Sequence, residues 1–157
     1  MRRGLILCGL FLAGCATTEN WYDDAGSGPT PDGWKKTGLL IVVVTDDHHE
    51  PLGSFKLRLT NEHLDTVEPD SWPVAWLVES DLPSTIPDAW IGNQEVPSAY
   101  SIDGDRIIMN LNASIVDDNI MLRGKLVQDS AAGIIFWSSP FGHKVHGNFV
   151  AVKVRWF

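Results

Sequence analysis

The sequence predicts an all-β protein, an antiparallel meander of about eight strands that forms a small barrel or a sandwich. Three observations predict this class. Short apolar or alternating segments recur at hairpin spacing, turn residues such as Asp103-Gly104 separate them, and no segment combines a helical apolar period with helix caps. A length of 157 residues suits one such domain.

Each strand is assigned from its own residue pattern. The first is a β-branched apolar run, which we expect to be covered on both faces. The second alternates, with Phe55, Leu57 and Leu59 facing inward. The later segments are short apolar runs or alternate in the same way. The predicted strands span residues 38–45, 54–60, 72–79, 99–102, 106–113, 120–127, 133–138 and 145–156.

Composition and charge exclude several classes of protein. Seven Trp residues and a hydrophobic fraction of 44% argue against a disordered chain. The formal net charge is −8, and it becomes −10 without Arg2 and Arg3, the only charged residues among positions 1–14. Binding to nucleic acid, or to anionic lipid by charge alone, needs a positive surface. We therefore expect neither from this acidic chain.

The N-terminus carries the pattern of an export signal. Met1-Arg2-Arg3 is a positive start, residues 4–12 form an apolar run too short for a permanent membrane span, and Leu12-Ala13-Gly14-Cys15 follows. This ending resembles the lipobox of bacterial lipoproteins, over residues 1–15 only. The resemblance implies that a diacylglycerol is joined to the Cys15 thiol, that the chain is cut before Cys15, and that the new amine is acylated as well.

The signal divides the chain into three parts. We predict a signal peptide over residues 1–14, the lipidated Cys15 with a flexible Gly-, Ser- and Pro-rich tether over residues 15–36, and the β domain over residues 37–157. The lipid makes a membrane the first partner of the protein. Inner-membrane lipoproteins tend to carry Asp after the lipidated Cys. Ala16 stands there instead, so the resemblance implies the outer membrane, or the plasma membrane if the host is Gram-positive.

Two histidine pairs form a candidate metal site. Asp46-Asp47-His48-His49-Glu50 follows the first predicted strand, and His143-x-x-His146 follows the seventh. In an up-and-down barrel of eight strands these two connections open at the same end, which would bring imidazole and carboxylate ligands together. The alternative is that they are solvated turn residues. We favour the alternative, and so assign no cofactor beyond the covalent lipid.

A segment rich in Trp and Pro is the second candidate site. Residues 80–97 form a predicted loop that is unusually long for a compact domain. It could fold over a barrel mouth and present Trp90 and Ile91, together with Trp76 of the preceding strand, to an apolar ligand or a sugar. The alternative is that Trp76 belongs to the core and that Trp90 pins the loop to the domain.

The remaining patterns favour binding over catalysis. The sequence contains no G-x-S-x-G or H-E-x-x-H motif and no phosphate-binding loop, and residues 16–157 contain no Cys. Residues 133–138 and 147–154 resemble, in pattern only, the last hairpin of lipocalin-like barrels in small bacterial lipoproteins. We expect an accessory or scaffold lipoprotein that contacts an envelope protein or the cell wall, or alternatively a carrier with an apolar void lined by Phe55, Leu57, Ile107 and Leu122.

Overall fold

A closed eight-stranded barrel is the architecture of the chain. The computed structural model describes residues 28–67, 71–82, 96–113, 119–139 and 141–154. Its elements are a 3-10 helix, η1 (Asp32–Trp34), and the strands β1 (Gly38–Thr45), β2 (Pro51–Leu59), β3 (Val74–Ser80), β4 (Ser98–Asp103), β5 (Arg106–Asn110), β6 (Asn119–Val127), β7 (Ser130–Ser139) and β8 (Gly142–Val154). Each strand pairs antiparallel with the next, and β8 closes on β1. The predicted class and meander are confirmed, and the form is a barrel rather than a sandwich.

The up-and-down order gives the barrel two distinct ends. The chain enters β1 from η1, so the β2–β3, β4–β5 and β6–β7 connections lie at the same end as η1, which we call the η1 end. The β1–β2, β3–β4, β5–β6 and β7–β8 connections lie at the other end, which we call the loop end. Local chemistry fixes the short turns. At the predicted Asp103-Gly104 turn, for example, Gly104 has a φ of 56°, which a residue without a Cβ adopts at no steric cost.

The barrel interior is filled by apolar side chains from all eight strands. They belong to a single contact cluster that also includes Trp34 of η1. The Phe149 ring of β8 reaches as far as Gly124 of β6, two strands away, where an added Cβ would lie only 2.6 Å from the Phe149 Cζ atom. Glycine at position 124 therefore leaves the space that this ring occupies, as close packing of a small barrel requires.

Trp34 and Lys153 close the η1 end. The Trp34 side chain is 4% exposed and belongs to the barrel core. The buried Lys153 side chain donates hydrogen bonds to the carbonyl oxygens of Gly33, at 2.5 Å, and Lys36, and its Nζ atom lies 5.6 Å from the centre of the Trp34 ring. Residues 33 and 34, which we had assigned to the tether, are thus part of the folded barrel.

A second, smaller cluster covers the outer face of β3 and β4. The β2–β3 connection folds back over these strands, because the Val74 N–H donates to the Glu62 carbonyl oxygen at 2.8 Å. The cluster contains Leu64, Val67, Trp72, Val74, Trp76, Ala99 and Ala113. The seam between β3 and β4 is the shortest in the barrel, with two residue pairs, Val74–Ala99 and Ala75–Ser98. The cluster therefore supports the part of the wall that has the fewest ladder hydrogen bonds.

Candidate functional site

The β1–β2 connection, residues 46–50, contains the first of the two histidine pairs, and hydrogen bonds to Asp46 explain its conformation. The Asp46 carboxylate accepts hydrogen bonds from the backbone N–H groups of His48, at 2.8 Å, and Glu50, at 2.9 Å. This arrangement closes the β1–β2 turn and holds His49 at a φ of 65°. The His48 Nε2 atom lies 3.7 Å from the Asp47 carboxylate, and both side chains are exposed. Asp46 therefore acts here as a turn-forming residue.

His146 lies in an irregular part of β8. The register with β7 shifts here by one residue, because Ile135 lies opposite Gly147 and Phe136 lies opposite Val145, so His146 is at a β-bulge. Burial lowers the pKa of the His146 imidazole, and the nearby charge of Lys144 lowers it further. The neutral ring is therefore favoured near neutral pH, which is also the form that binds metals.

The barrel brings the two histidine segments to the same end, as the strand order predicted. On the β1–β2 side, the His49 Nδ1 atom lies 3.5 Å from the Asn148 side-chain nitrogen of β8. The described residues contain no group of three or more His, Cys, Asp or Glu side chains that could hold a metal ion. The His143 side chain lies outside the described part, so the site that includes His48, His49, His143 and His146 stays a prediction.

The interior offers a different test of function. Phe55, Leu57, Ile107 and Leu122, the residues that would line the void of a carrier, are all buried within the one core cluster. Their side chains pack against the other members of that cluster. These four side chains are therefore part of the packed interior of the barrel.

Trp76 lies on the outer face of β3 and not at a barrel mouth. Its ring packs on the second cluster, and its indole Nε1 donates a hydrogen bond of 3.1 Å to the Glu62 carboxylate. The ring therefore holds the β2–β3 connection against the outer wall, and it does not belong to the barrel core. Trp90 and Ile91, and the lipidation candidate Cys15, lie outside the described residues.

An apolar surface on β1 and β8 is the feature that sequence reasoning missed. Cross-strand pairs place six aliphatic side chains together on the outer wall: Leu39 beside Val154, Ile41 beside Val152, and Val43 beside Val150. We call this surface the β1–β8 face. Its four valines are between 42% and 56% exposed. Such contiguous apolar surface on a soluble domain marks an interaction site more often than a scattered exposed residue does.

The signal for this face was present in the sequence but was read differently. We expected β1 to be covered on both faces, and the prediction is wrong for Val43, which is 42% exposed on the outer side. On β8, Phe149, Ala151 and Lys153 face the interior and the valines between them face outward. A β1 strand that is apolar on both faces, together with the alternate valines of β8, could have indicated an exposed apolar surface.

A shallow pocket of about 160 Å³ lies on the outer side of β4, β5 and β6. Its lining consists of Ser101, Asp103, Arg106, Ile107, Ile108 and Arg123. The Arg123 guanidinium lies 5.8 Å from the centre of the Phe136 ring, and an acidic side chain shares the pocket with the two arginines. The pocket therefore lacks the concentrated positive charge of a dedicated anion site.

Comparisons of the chain with protein-family models, curated proteins and solved structures gave no match. No helix long and apolar enough to cross a bilayer occurs in the part of the chain that the structure describes.

Proposed function

We propose that this chain is a lipid-anchored cell-envelope protein that works by binding a partner through the outer wall of its barrel, and that it has no catalytic activity. The observation that carries the proposal is the contrast between the two sides of the wall at β1 and β8. The inner side chains are closely packed, whereas the outer side chains form the half-exposed aliphatic β1–β8 face. The lipobox-like ending at Cys15 supports the location, since two or three acyl chains hold a protein firmly at a membrane.

The β1–β8 face is suited to a partner that is already nearby. Burying a Val side chain fully stabilises a complex by roughly 1.5–3 kcal/mol, so covering the exposed half of each valine contributes about 1 kcal/mol. Four such residues give about 4 kcal/mol, which corresponds to millimolar affinity before the costs of association. A membrane anchor raises the local concentration of both partners and makes so weak a contact effective.

The binding surface is tested by placing a photo-crosslinking amino acid at Val152 in the full chain in its own host. The matched control is Val127, which also points outward and is 60% exposed, but belongs to β6, two strands away from Val152. We expect protein adducts from position 152 and few from position 127. Equal yields from the two positions would mean that the β1–β8 face is not a special surface.

The anchor is tested with Cys15→Ser, with Cys8→Ser as the control because Cys8 lies inside the predicted signal. We expect only Cys15→Ser to abolish the lipid mass and release the protein from the membrane fraction. The carrier alternative is tested by native mass spectrometry of the purified protein. A small apolar molecule bound in stoichiometric amount would favour the carrier and oppose the proposed use of the outer wall.

A further inference from the structure

We propose that residues 28–37 form a strap that closes the η1 end of the barrel and opens as one unit, about the start of β1, while the barrel itself stays folded. The path of the segment, the small number of contacts that hold it and two polar groups that it keeps from water all support this behaviour. We call these ten residues the strap.

The strap crosses the whole η1 end of the barrel. Its first residue, Gly28, donates its N–H to the Asp105 carboxylate in the β4–β5 turn, at 3.3 Å. Its last residue precedes Gly38, where β1 begins. In a closed ring of eight strands, β5 is four strands away from β1 in either direction. The segment therefore runs from one side of the barrel end to the opposite side, and Trp34 packs into the core from its middle part.

The strap is held by fewer contacts than any strand of the barrel. Trp34 is its one buried side chain, because Gly33 has none and the other residues are half-buried or exposed. All ten residues are described, and none of them pairs in a strand, whereas β1 pairs with β2 and with β8 along its length. Segments with little buried apolar surface and few ladder bonds open at a lower free energy than core strands. We therefore expect the strap to leave before the barrel unfolds.

The closed strap keeps two polar groups from water. The Trp34 Nε1 atom is buried and has no hydrogen-bond partner among the described residues. The Lys153 ammonium is buried as well, and carbonyl oxygens of the strap, those of Gly33 and Lys36, accept hydrogen bonds from it. A buried N–H without a partner costs free energy, and so does a buried charge. Both groups regain water when the strap opens, which offsets part of the free energy lost when the Trp34 ring leaves the core.

Opening changes one end of the barrel and leaves the wall as it is. The strands β1 and β8 stay paired, so the β1–β8 face on their outer side keeps its form. At the η1 end, the departing Trp34 ring leaves space in the core cluster to which it belongs. The strap is therefore a lid over the interior that acts independently of the proposed binding surface.

The test measures hydrogen exchange of the Trp34 indole N–H in the purified full chain by NMR, with Trp34→Phe to assign the signal. The reference is the backbone N–H of Val42, in the middle of β1. We expect the protection of the Trp34 indole to be at least about tenfold lower than that of Val42. Low urea should leave the indole exchange unchanged and accelerate the Val42 exchange, because only global unfolding exposes much surface.

Two results of this measurement would overturn the proposal. Equal protection and equal urea dependence at the two groups would mean that the strap leaves only when the barrel unfolds. Indole exchange as fast as in free tryptophan would mean that the strap does not close on the barrel.

An engineered disulfide tests whether the strap moves as one unit. A Cβ atom at Gly28 would lie 3.4 Å from the Asp105 Cβ atom, next to the range of about 3.5–4.5 Å found in disulfides. Gly28→Cys and Asp105→Cys are combined with Cys8→Ser and Cys15→Ser, so that the chain has no other thiol. We expect the oxidised form to slow the indole exchange by at least about tenfold, to the level of Val42, and reduction to restore it.

The reduced form of the same chain is the matched control for the substitutions. Exchange that stays equally fast after the disulfide has formed would mean that Gly28 does not belong to the opening unit. Failure of the two thiols to oxidise would contradict the closed position of Gly28 beside Asp105. Either result would overturn the strap.

Discussion

Removing the Trp34 side chain tests whether η1 belongs to the folded barrel. Trp34 is 4% exposed, and replacing a buried Trp by Ala typically costs about 3–5 kcal/mol. The contact with the Lys153 ammonium, 5.6 Å from the ring centre, adds up to about 2 kcal/mol where it is shielded from water. We therefore expect Trp34→Ala to lower the free energy of unfolding by about 4 kcal/mol. The same substitution in a flexible tether would leave the free energy of unfolding unchanged.

The assay is urea unfolding of the purified protein followed by circular dichroism. With a slope of about 2 kcal/mol per M for a small domain, the loss corresponds to a midpoint lowered by about 2 M. The matched control is Phe141→Ala, because Phe141 lies in the β7–β8 turn and is 98% exposed, and we expect a change within about 0.5 kcal/mol. If Trp34→Ala changed the midpoint no more than Phe141→Ala, the barrel would not need η1.

Three other substitutions test the interior and the titratable groups. Gly124→Ala places a Cβ 2.6 Å from the Phe149 ring, so we expect a loss of about 1–3 kcal/mol in the same urea assay, and no loss would refute the close packing. Burial raises the pKa of Tyr100 to about 12. The contribution of the neutral Tyr100 side chain to the free energy of unfolding is therefore fully present below pH 10 and is lost between pH 10 and 12. Tyr100→Phe should remove that alkaline loss, and an unchanged alkaline limb would contradict it. Burial acts to raise the pKa of Asp105, but hydrogen bonds from a backbone N–H and from Lys125, and the charge of Lys125, lower this pKa overall. The contribution of Asp105 to the free energy of unfolding is therefore present above the usual carboxyl pKa and is lost as the pH falls through the pKa of the folded state. Asp105→Asn should therefore flatten the acid limb, whereas an acid limb as steep as before would assign the loss to other carboxyl groups.

Much of the fold could be predicted from the sequence because its determinants are local. The two-residue period of β2 and the Asp103-Gly104 turn each specify a strand or a hairpin within a few residues. The first and last strands of an eight-stranded up-and-down barrel must be neighbours. This prediction is confirmed, because β1 pairs with β8. Strand ends were less accurate, since the ladder of β7 begins at Ser130, ahead of the apolar run that marked it.

The remaining features depend on long-range packing that local patterns do not encode. Trp34 is surrounded by Gly, Pro and Lys residues typical of a linker, and only the open end of the barrel explains its burial. From the sequence of β8 alone, either of its two faces could be the inner one. One face carries the valines, and the other carries Phe149, Ala151 and Lys153. The choice between them depends on the room that Gly124 leaves two strands away. The β1–β8 face was missed because the outer side of β1 was expected to be covered.

The route by which the N-terminal segment enters the barrel determines how the protein responds to mechanical force. Among the described residues, a pull from the N-terminal side acts first at Gly28, whose N–H donates a hydrogen bond to the Asp105 carboxylate. It then reaches Trp34, which must leave the core before any load acts on β1. Beyond that point β1 is hydrogen-bonded to β2 and β8 along its whole length, and these bonds resist shear together. Tension applied through this segment therefore acts first at the η1 end of the barrel, and only afterwards on the strand pairs of β1.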